Sequence, residues 1–326
     1  MAPVPARPMT TSAASAASAA SAADWPLLDT GWLPAAGGHR LHVQQWGAPD
    51  GVPVLLLHGG PGSGSTPLQR QGFDPARCRL ITPDQRGAGR STPRGATHAL
   101  SVAQLLADLR ALHAHLGAPR WWVVGGSWGA TLALRHAADA PQAVAGLVLR
   151  ATFLGRDADV AAMLDDAHAL AAVAGQPVAA LWPGIVPLWR AADAPRREQL
   201  ATAWVAHEAA RCGDVPPTWT PDTLAAAVDR LNVMLHLLAD GGGLRERSLL
   251  ARCAEVPAVP TLLLHSPADR VCAAEGAQAL HQALPGSTLR WVPEAGHRLA
   301  HPAMQAALQD AGRWLLVQAQ AQAQPC

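Results

Sequence analysis

The chain has 326 residues, 49% of them apolar and 15% charged, with a formal net charge of +1. That length allows one large core or two smaller ones. The interspersed charge carries no basic stripe of the kind that binds nucleic acid, and no apolar run approaches the roughly 18 residues that cross a membrane. Cys78, Cys212, Cys253, Cys272 and Cys326 are odd in number, far apart and without a C-x-x-C pair. They argue against a disulfide framework or a zinc site, and for reduced thiols in a cytoplasmic protein.

Residues 1–23 are low-complexity, with Ser-Ala-Ala recurring from Ser12 to Ala23. They read as a disordered extension. A signal peptide behind Arg7 is disfavoured, because serine interrupts the apolar run at every third position. His39–Trp46 and Val52–Leu57 read as the first strands, and Arg79–Pro83 as a third. Ser101–Leu116 reads as an amphipathic helix, with Leu105, Leu109, Leu112 and Leu116 on one face. Trp121–Val124 and Ala145–Leu149 are apolar runs of buried-strand length. Strands alternating with helices in this way imply a parallel sheet with crossover helices.

After about Gly155 the strand signals vanish. Helical runs follow at Ala158–Ala174, Arg196–Arg211, Pro221–Ala239 and Leu244–Cys253, with breaks at Pro183, Pro187, Pro216-Pro217 and Gly241–Gly243. The β/α alternation resumes with strands Thr261–His265 and Thr288–Val292 and helices Ala273–Leu284 and Pro302–Leu316. The expected organisation is a core of residues 24–154 and 256–318, a helical cap of residues 155–255 inserted over the sheet, and a flexible tail of residues 319–326.

The chemistry concentrates in loops that follow strands. Gly125-Gly126-Ser127-Trp128-Gly129 lies between a strand-like and a helix-like run, which is the setting of a nucleophile elbow. Ser127 needs a base, since a serine hydroxyl is a poor nucleophile at neutral pH. Asp269 and His297 each sit just past a later strand, in the order serine, acid, histidine expected of this architecture. His297 would take the Ser127 proton, and Asp269 would fix its tautomer and stabilise the imidazolium. His265 and His301 are rivals for the base; His297 is preferred because it directly follows the glycine of a tight loop. Acyl transfer also needs two N–H donors for the tetrahedral oxygen. His58-Gly59-Gly60-Pro61-Gly62 follows a strand and offers Gly60 N–H, with Gly59 as its alternative, beside Trp128 N–H. A phosphate loop is disfavoured, because no Gly-Lys-Ser/Thr follows and the chain has no lysine. Cys272, three residues past Asp269, is expected near the site.

Together, His58–Gly62, Asp84-Gln-Arg-Gly-Ala-Gly-Arg-Ser91, Gly125–Leu134, Leu149–Leu154, Asp269–Cys272 and Glu294–His297 resemble the proline iminopeptidases over roughly residues 24 to 318. The resemblance implies an α/β-hydrolase fold: a mostly parallel sheet with flanking helices and an inserted all-helical cap. It implies a serine exopeptidase that releases an N-terminal proline from small peptides through an acyl-enzyme, with no metal or organic cofactor. An aminopeptidase, amidase or esterase of the same fold is the alternative; a non-catalytic binding protein on this scaffold is the distant one. Trp204-Val-Ala-His207-Glu208 matches the family's W-x-x-W-E run, so Glu208 is the implied amine-recognition acid, and Phe153 the implied wall for the pyrrolidine ring. The family's A-R-x-E segment is here Asp229-Arg230-Leu231-Asn232. Its acid has become Asn232, which implies weaker selectivity for a free amine, or replacement of the acid by Asp229 one turn earlier.

Overall fold

The structure is a computed structural model that describes residues 25–239 and 248–324. The expected extension 1–23 and residues 244–247 of an expected helix lie outside the described residues. The described strands are β1 (Leu27–Ala35), β2 (His39–Gly47), β3 (Val52–Leu57), β4 (Cys78–Pro83), β5 (Trp121–Gly126), β6 (Val144–Arg150), β7 (Thr261–His265) and β8 (Thr288–Trp291). They form one sheet in the order β1-β2-β4-β3-β5-β6-β7-β8. β2 runs antiparallel to both β1 and β4, and every pair from β4 to β8 is parallel.

The centre of the sheet is apolar on both faces, as expected of parallel strands covered by helices. In β3, Leu55 and Leu57 face a cluster containing Leu105, Leu109 and Leu112 of α1 (Val102–Leu116) and Leu132 of α2 (Trp128–Asp139). Val54 and Leu56 face the opposite way, toward Met304, Leu308 and Leu315 of the C-terminal helix. The apolar face predicted for α1 is thus its buried face. Ser101 caps the helix by accepting from Gln104 N–H at 3.2 Å, and Gly117 ends it in the left-handed region.

The chain leaves the sheet after β6 and returns at β7. Between them lie α3 (Asp157–Leu164), α4 (His168–Ala174), α5 (Val178–Ala191), α6 (Ala194–Cys212), α7 (Pro221–Ala239) and α8 (Leu249–Arg252). After β7 come α9 (Ala274–Ala283) and α10 (Pro302–Ala323).

The elements differ from expectation in five places. β1 gives no strand signal, because its residues are mostly exposed and include Gly31 and Pro34; it is an edge strand held only by β2. The run Ala158–Ala174 is two helices, broken where Asp166 takes a positive φ of 56°. Pro183 and Pro187 do not break α5, because the stripe Leu181, Ile185 and Trp189 is buried along one face and holds the helix through the lost backbone bonds. α8 falls within the residues expected to form the cap, yet packs on α2 and α9 of the core, with Leu249 buried. Finally, α10 runs to Ala323 through the residues expected as a flexible tail. Alanine and glutamine are good helix formers, and Gln322 Nε2 donates to the Ala145 carbonyl at 3.0 Å, tying the last turns to the sheet.

Candidate active site

β5 delivers Ser127 to the C-terminal edge of the sheet through a turn too tight for ordinary backbone. Ser127 has φ 55° and ψ −122°, a conformation that costs an L-residue of order 1–3 kcal/mol. Neighbouring bonds hold it there. Ser127 N–H donates to the Arg150 carbonyl at 2.9 Å, while its own carbonyl accepts from Ala130 and Thr131 at the start of α2. The following glycine is sterically required, since a Cβ on Gly129 would lie 2.2 Å from the Leu57 carbonyl oxygen.

Asp269 and His297 come from the loops after β7 and β8. His297 Nδ1–H donates to Asp269 Oδ2 at 2.8 Å, and Asp269 Oδ1 accepts from Val271 N–H and Cys272 N–H, both at 2.8 Å. Burial would raise the Asp269 carboxyl, but the His297 charge and hydrogen bond, with the Cys272 amide, outweigh it and hold it below the ordinary value. The carboxylate is therefore ionised, and its hydrogen bond to His297 Nδ1 leaves Nε2 as the ring nitrogen that Asp269 does not engage. The rival histidines are occupied elsewhere: His265 Nε2–H donates to the Cys272 carbonyl at 2.9 Å, and His301 caps α10. Ser127 and His297 line one cavity of about 230 Å³. Cys272 lies beside Ser127, its thiol raised by burial well above the ordinary value.

The loops expected to carry the oxyanion donors are joined through a buried network. The His58 ring is fully buried and burial lowers its pKa, so it is neutral. Gln85 N–H donates to His58 Nε2 at 2.9 Å, which places the proton on Nδ1, facing the Gly59 carbonyl at 3.0 Å. Gly64 N–H also approaches Nδ1, at 3.2 Å, and the shorter Gln85 contact decides the tautomer. The Gln85 side chain then bridges two elements: its Nε2 donates to the His58 carbonyl at 2.8 Å, and its Oε1 accepts from Trp128 Nε1 at 3.2 Å. Trp128 opens α2, so its amide belongs to the first turn, which has no intrahelical acceptor. Next to Gln85, Arg86 anchors the loop by a buried fork to Asp108 of α1, at 2.8 and 2.6 Å.

Residues 52–301 match the family described as the alpha/beta hydrolase fold. A probable proline iminopeptidase of Leptolyngbya boryana is 34% identical over 298 residues, covering 86% of this chain and 92% of that protein. The chain belongs to the proline iminopeptidase family of α/β hydrolases. The proline iminopeptidase of Xanthomonas citri is 35% identical over 280 residues, covering 81% of this chain and 89% of its own. Among solved structures, the proline iminopeptidase of Mycobacterium smegmatis superposes with a TM-score of 0.61 at 21% identity, covering 91% of this chain and 100% of that one. A haloalkane dehalogenase variant from Bradyrhizobium elkanii reaches 0.64 at 22% identity, covering 91% of this chain and 99% of that one. At such identities the likeness is one of fold, which hosts several chemistries.

The residues that the family pattern implies for substrate binding divide into two groups. Phe153 and Glu208 line the Ser127 cavity. Asp229 and Asn232 lie outside its lining. Asp229 Oδ2 accepts from Arg94 Nε at 2.7 Å. Asn232 bridges two segments, accepting from Trp189 Nε1 and donating to the Gly95 carbonyl, each at 2.8 Å. Both side chains meet the segment at Arg94 and Gly95, and Asn232 also meets Trp189 of α5.

Two charged residues in the cavity lining had no role in the sequence reading. Arg150 is buried behind the Ser127 turn, and its Nη1 donates to the His297 carbonyl at 3.0 Å. Burial lowers its pKa against the attraction of Asp269. Arg230, on α7, forms an ion pair with Glu208 on α6. Both arginines stand inside motifs that the sequence displayed, but their partners lie 147 and 22 residues away. Among the described residues, no group of three or more His, Cys, Asp or Glu side chains is placed to hold a metal ion.

Proposed function

We propose that the chain is a serine exopeptidase that releases an N-terminal proline from small peptides. The observation that carries this reading is that His297, hydrogen-bonded to Asp269, lines one cavity with Ser127, which sits strained at the start of α2. Ser127 Oγ attacks the acyl carbon as His297 Nε2 takes its proton. The oxygen of the tetrahedral intermediate is held by the amides of Trp128 and Gly60, with Gly59 as the alternative to Gly60. His297 returns the proton to the leaving amine, and an ester to Ser127 remains. Water, activated by the same imidazole, hydrolyses that ester and frees proline. Asp269 keeps the imidazole in the required tautomer and stabilises its charged form.

Phe153, 7% exposed and facing the cavity, is the ring wall in this proposal. Glu208 is the acid nearest the substrate amine. A second reading, an amidase or esterase with altered amine recognition, is favoured by one observation: Glu208 already has Arg230 as a partner. The four described cysteines are free thiols, which supports a cytoplasmic setting. No single helix among the described residues is long and apolar enough to cross a membrane; the bent pair α4 and α5 passes by length and composition only.

The test has two stages. A fluorophosphonate should label the folded chain and fail to label Ser127→Ala; a folded wild-type chain that stays unlabelled refutes the serine mechanism. Naphthylamides of proline, alanine and acetylproline, with p-nitrophenyl acetate, then separate peptidase from esterase. Hydrolysis of the ester without release of proline refutes the exopeptidase reading.

A further inference from the structure

The ionic composition of the Ser127 cavity does not match a site that selects cations. Its charged lining consists of two guanidinium groups, Arg150 and Arg230, against one carboxylate, Glu208. Glu208 and Arg230 are each about a quarter exposed, at 27% and 23% of their side chains, so both reach the cavity surface. Among the described residues Arg230 is the cation paired with Glu208. An ammonium approaching this carboxylate meets a neighbour that has already neutralised it.

The placement of Arg230 is set by the fold. α6 and α7 pack together and bring Glu208 and Arg230 face to face. α7 in turn rests on the His58–Gly62 loop: a Cβ on Gly62, at φ 88°, would lie 2.8 Å from the Arg230 carbonyl oxygen and 3.1 Å from Val233 Cβ. The backbone of Arg230 is thereby pinned within contact of the loop that carries Gly60. Also on α7, Asp229 and Asn232 are committed to Arg94, Trp189 and Gly95, so neither supplies a second acid to the cavity.

We propose that Arg230 is a specificity-determining residue: by pairing with Glu208 it cancels the charge that would select a protonated amine, so the cavity accepts five-membered-ring acyl groups with or without an ammonium. This rests on the reading that Glu208 faces the substrate amine. The substrate class widens accordingly, from free prolyl peptides to prolyl and cyclopentyl-type acyl compounds lacking the cationic nitrogen. Specificity is a difference of affinities, and Arg230 acts on that difference.

Binding alone tests the idea. The whole chain is titrated by ligand-observed NMR with L-prolinamide, protonated at neutral pH, and with cyclopentanecarboxamide, which replaces the ring ammonium by a methylene. Wild type should bind the two with Kd values within about tenfold, a span of about 1.4 kcal/mol. Arg230→Met should shift the ratio toward prolinamide by tenfold or more, Arg230→Lys should keep the wild-type ratio, and Glu208→Gln in the Arg230→Met background should abolish the gain. A wild-type preference for prolinamide beyond tenfold, an unmoved ratio in Arg230→Met, or binding of neither ligand overturns the proposal. Release of proline from its naphthylamide is scored separately. An unmoved ratio with proline release sinks this inference alone; the expected ratios without proline release sink the exopeptidase reading alone.

Discussion

Replacing Gln85 by methionine keeps the length of the side chain and removes both of its polar ends. Two groups then lose their partners, the His58 carbonyl, bonded at 2.8 Å, and the Trp128 indole N–H, bonded at 3.2 Å. His58 is 0% and Trp128 1% exposed, so water does not reach either group without local opening. Each unsatisfied buried group costs about 1–3 kcal/mol. Methionine recovers part of this through packing, and the net expectation is a loss of about 2–4 kcal/mol. The same change loosens a side chain that ties the His58–Gly62 loop to the residue after Ser127. A displacement of an ångström near reacting atoms costs about 100-fold in rate, so kcat on proline β-naphthylamide should fall about 10- to 100-fold with KM within a factor of about three. Urea denaturation followed by circular dichroism measures the first effect, and initial rates the second. A stability change under about 0.5 kcal/mol together with an unchanged kcat would show that Gln85 is not the tie between the two loops.

The remaining expectations concern the proposed triad, a buried ion pair and a buried histidine. Asp269→Asn should lower kcat by about 10⁴-fold with the fold retained; retention of more than a tenth of the activity would remove Asp269 from the mechanism. Because the wild-type Asp269 carboxyl is held below its ordinary value, its contribution to stability is complete above about pH 4 and is lost as pH falls through the lowered value, so the variant should show a flatter acid limb in urea midpoints. Asp108→Ala leaves the Arg86 guanidinium buried without its carboxylate and should cost about 3–5 kcal/mol; a loss under about 1 kcal/mol would mean that the other Arg86 acceptors suffice. The His136 pKa is pushed down to about 4, chiefly by burial, so the native ring stays neutral while an unfolded one protonates below about pH 6.5. Stability should therefore drop by about 3 kcal/mol between pH 6.5 and pH 4 on this account alone, and His136→Gln, which still offers an acceptor to the Trp121 indole, should remove that share of the pH dependence.

The sequence made legible whatever rests on local geometry. Gly125–Gly129 announces its turn because only small residues fit around Ser127. Trp121–Val124 and Ala145–Leu149 announce central strands because they are apolar on both faces. The order of Ser127, Asp269 and His297 follows from strands that end on the same edge. Features decided by long-range packing were hidden. β1 owes its existence to pairing with β2 rather than to its own residues. The helix through Pro183 and Pro187 depends on a buried stripe that outweighs two lost hydrogen bonds. In α7, the run Asp229-Arg230-Leu231-Asn232 showed which residues share a face but not what that face meets. The cavity received Arg230, which lies between Asn232, at the family's acid position, and Asp229, its proposed replacement.

The contact between α7 and Gly62 also bears on how this architecture can be re-engineered or can diverge. Caps of α/β hydrolases lend themselves to treatment as cassettes, interchangeable above a constant core. Here α7 and the His58–Gly62 loop meet with no room at Gly62 for one methyl group. A transplanted cap whose second long helix sat an ångström closer would push on the loop bearing Gly60, and one sitting farther away would leave that loop unsupported. Residues 58–62 and α7 therefore form one inheritance unit, and exchanges between relatives should succeed only when that loop travels with the helix that covers it.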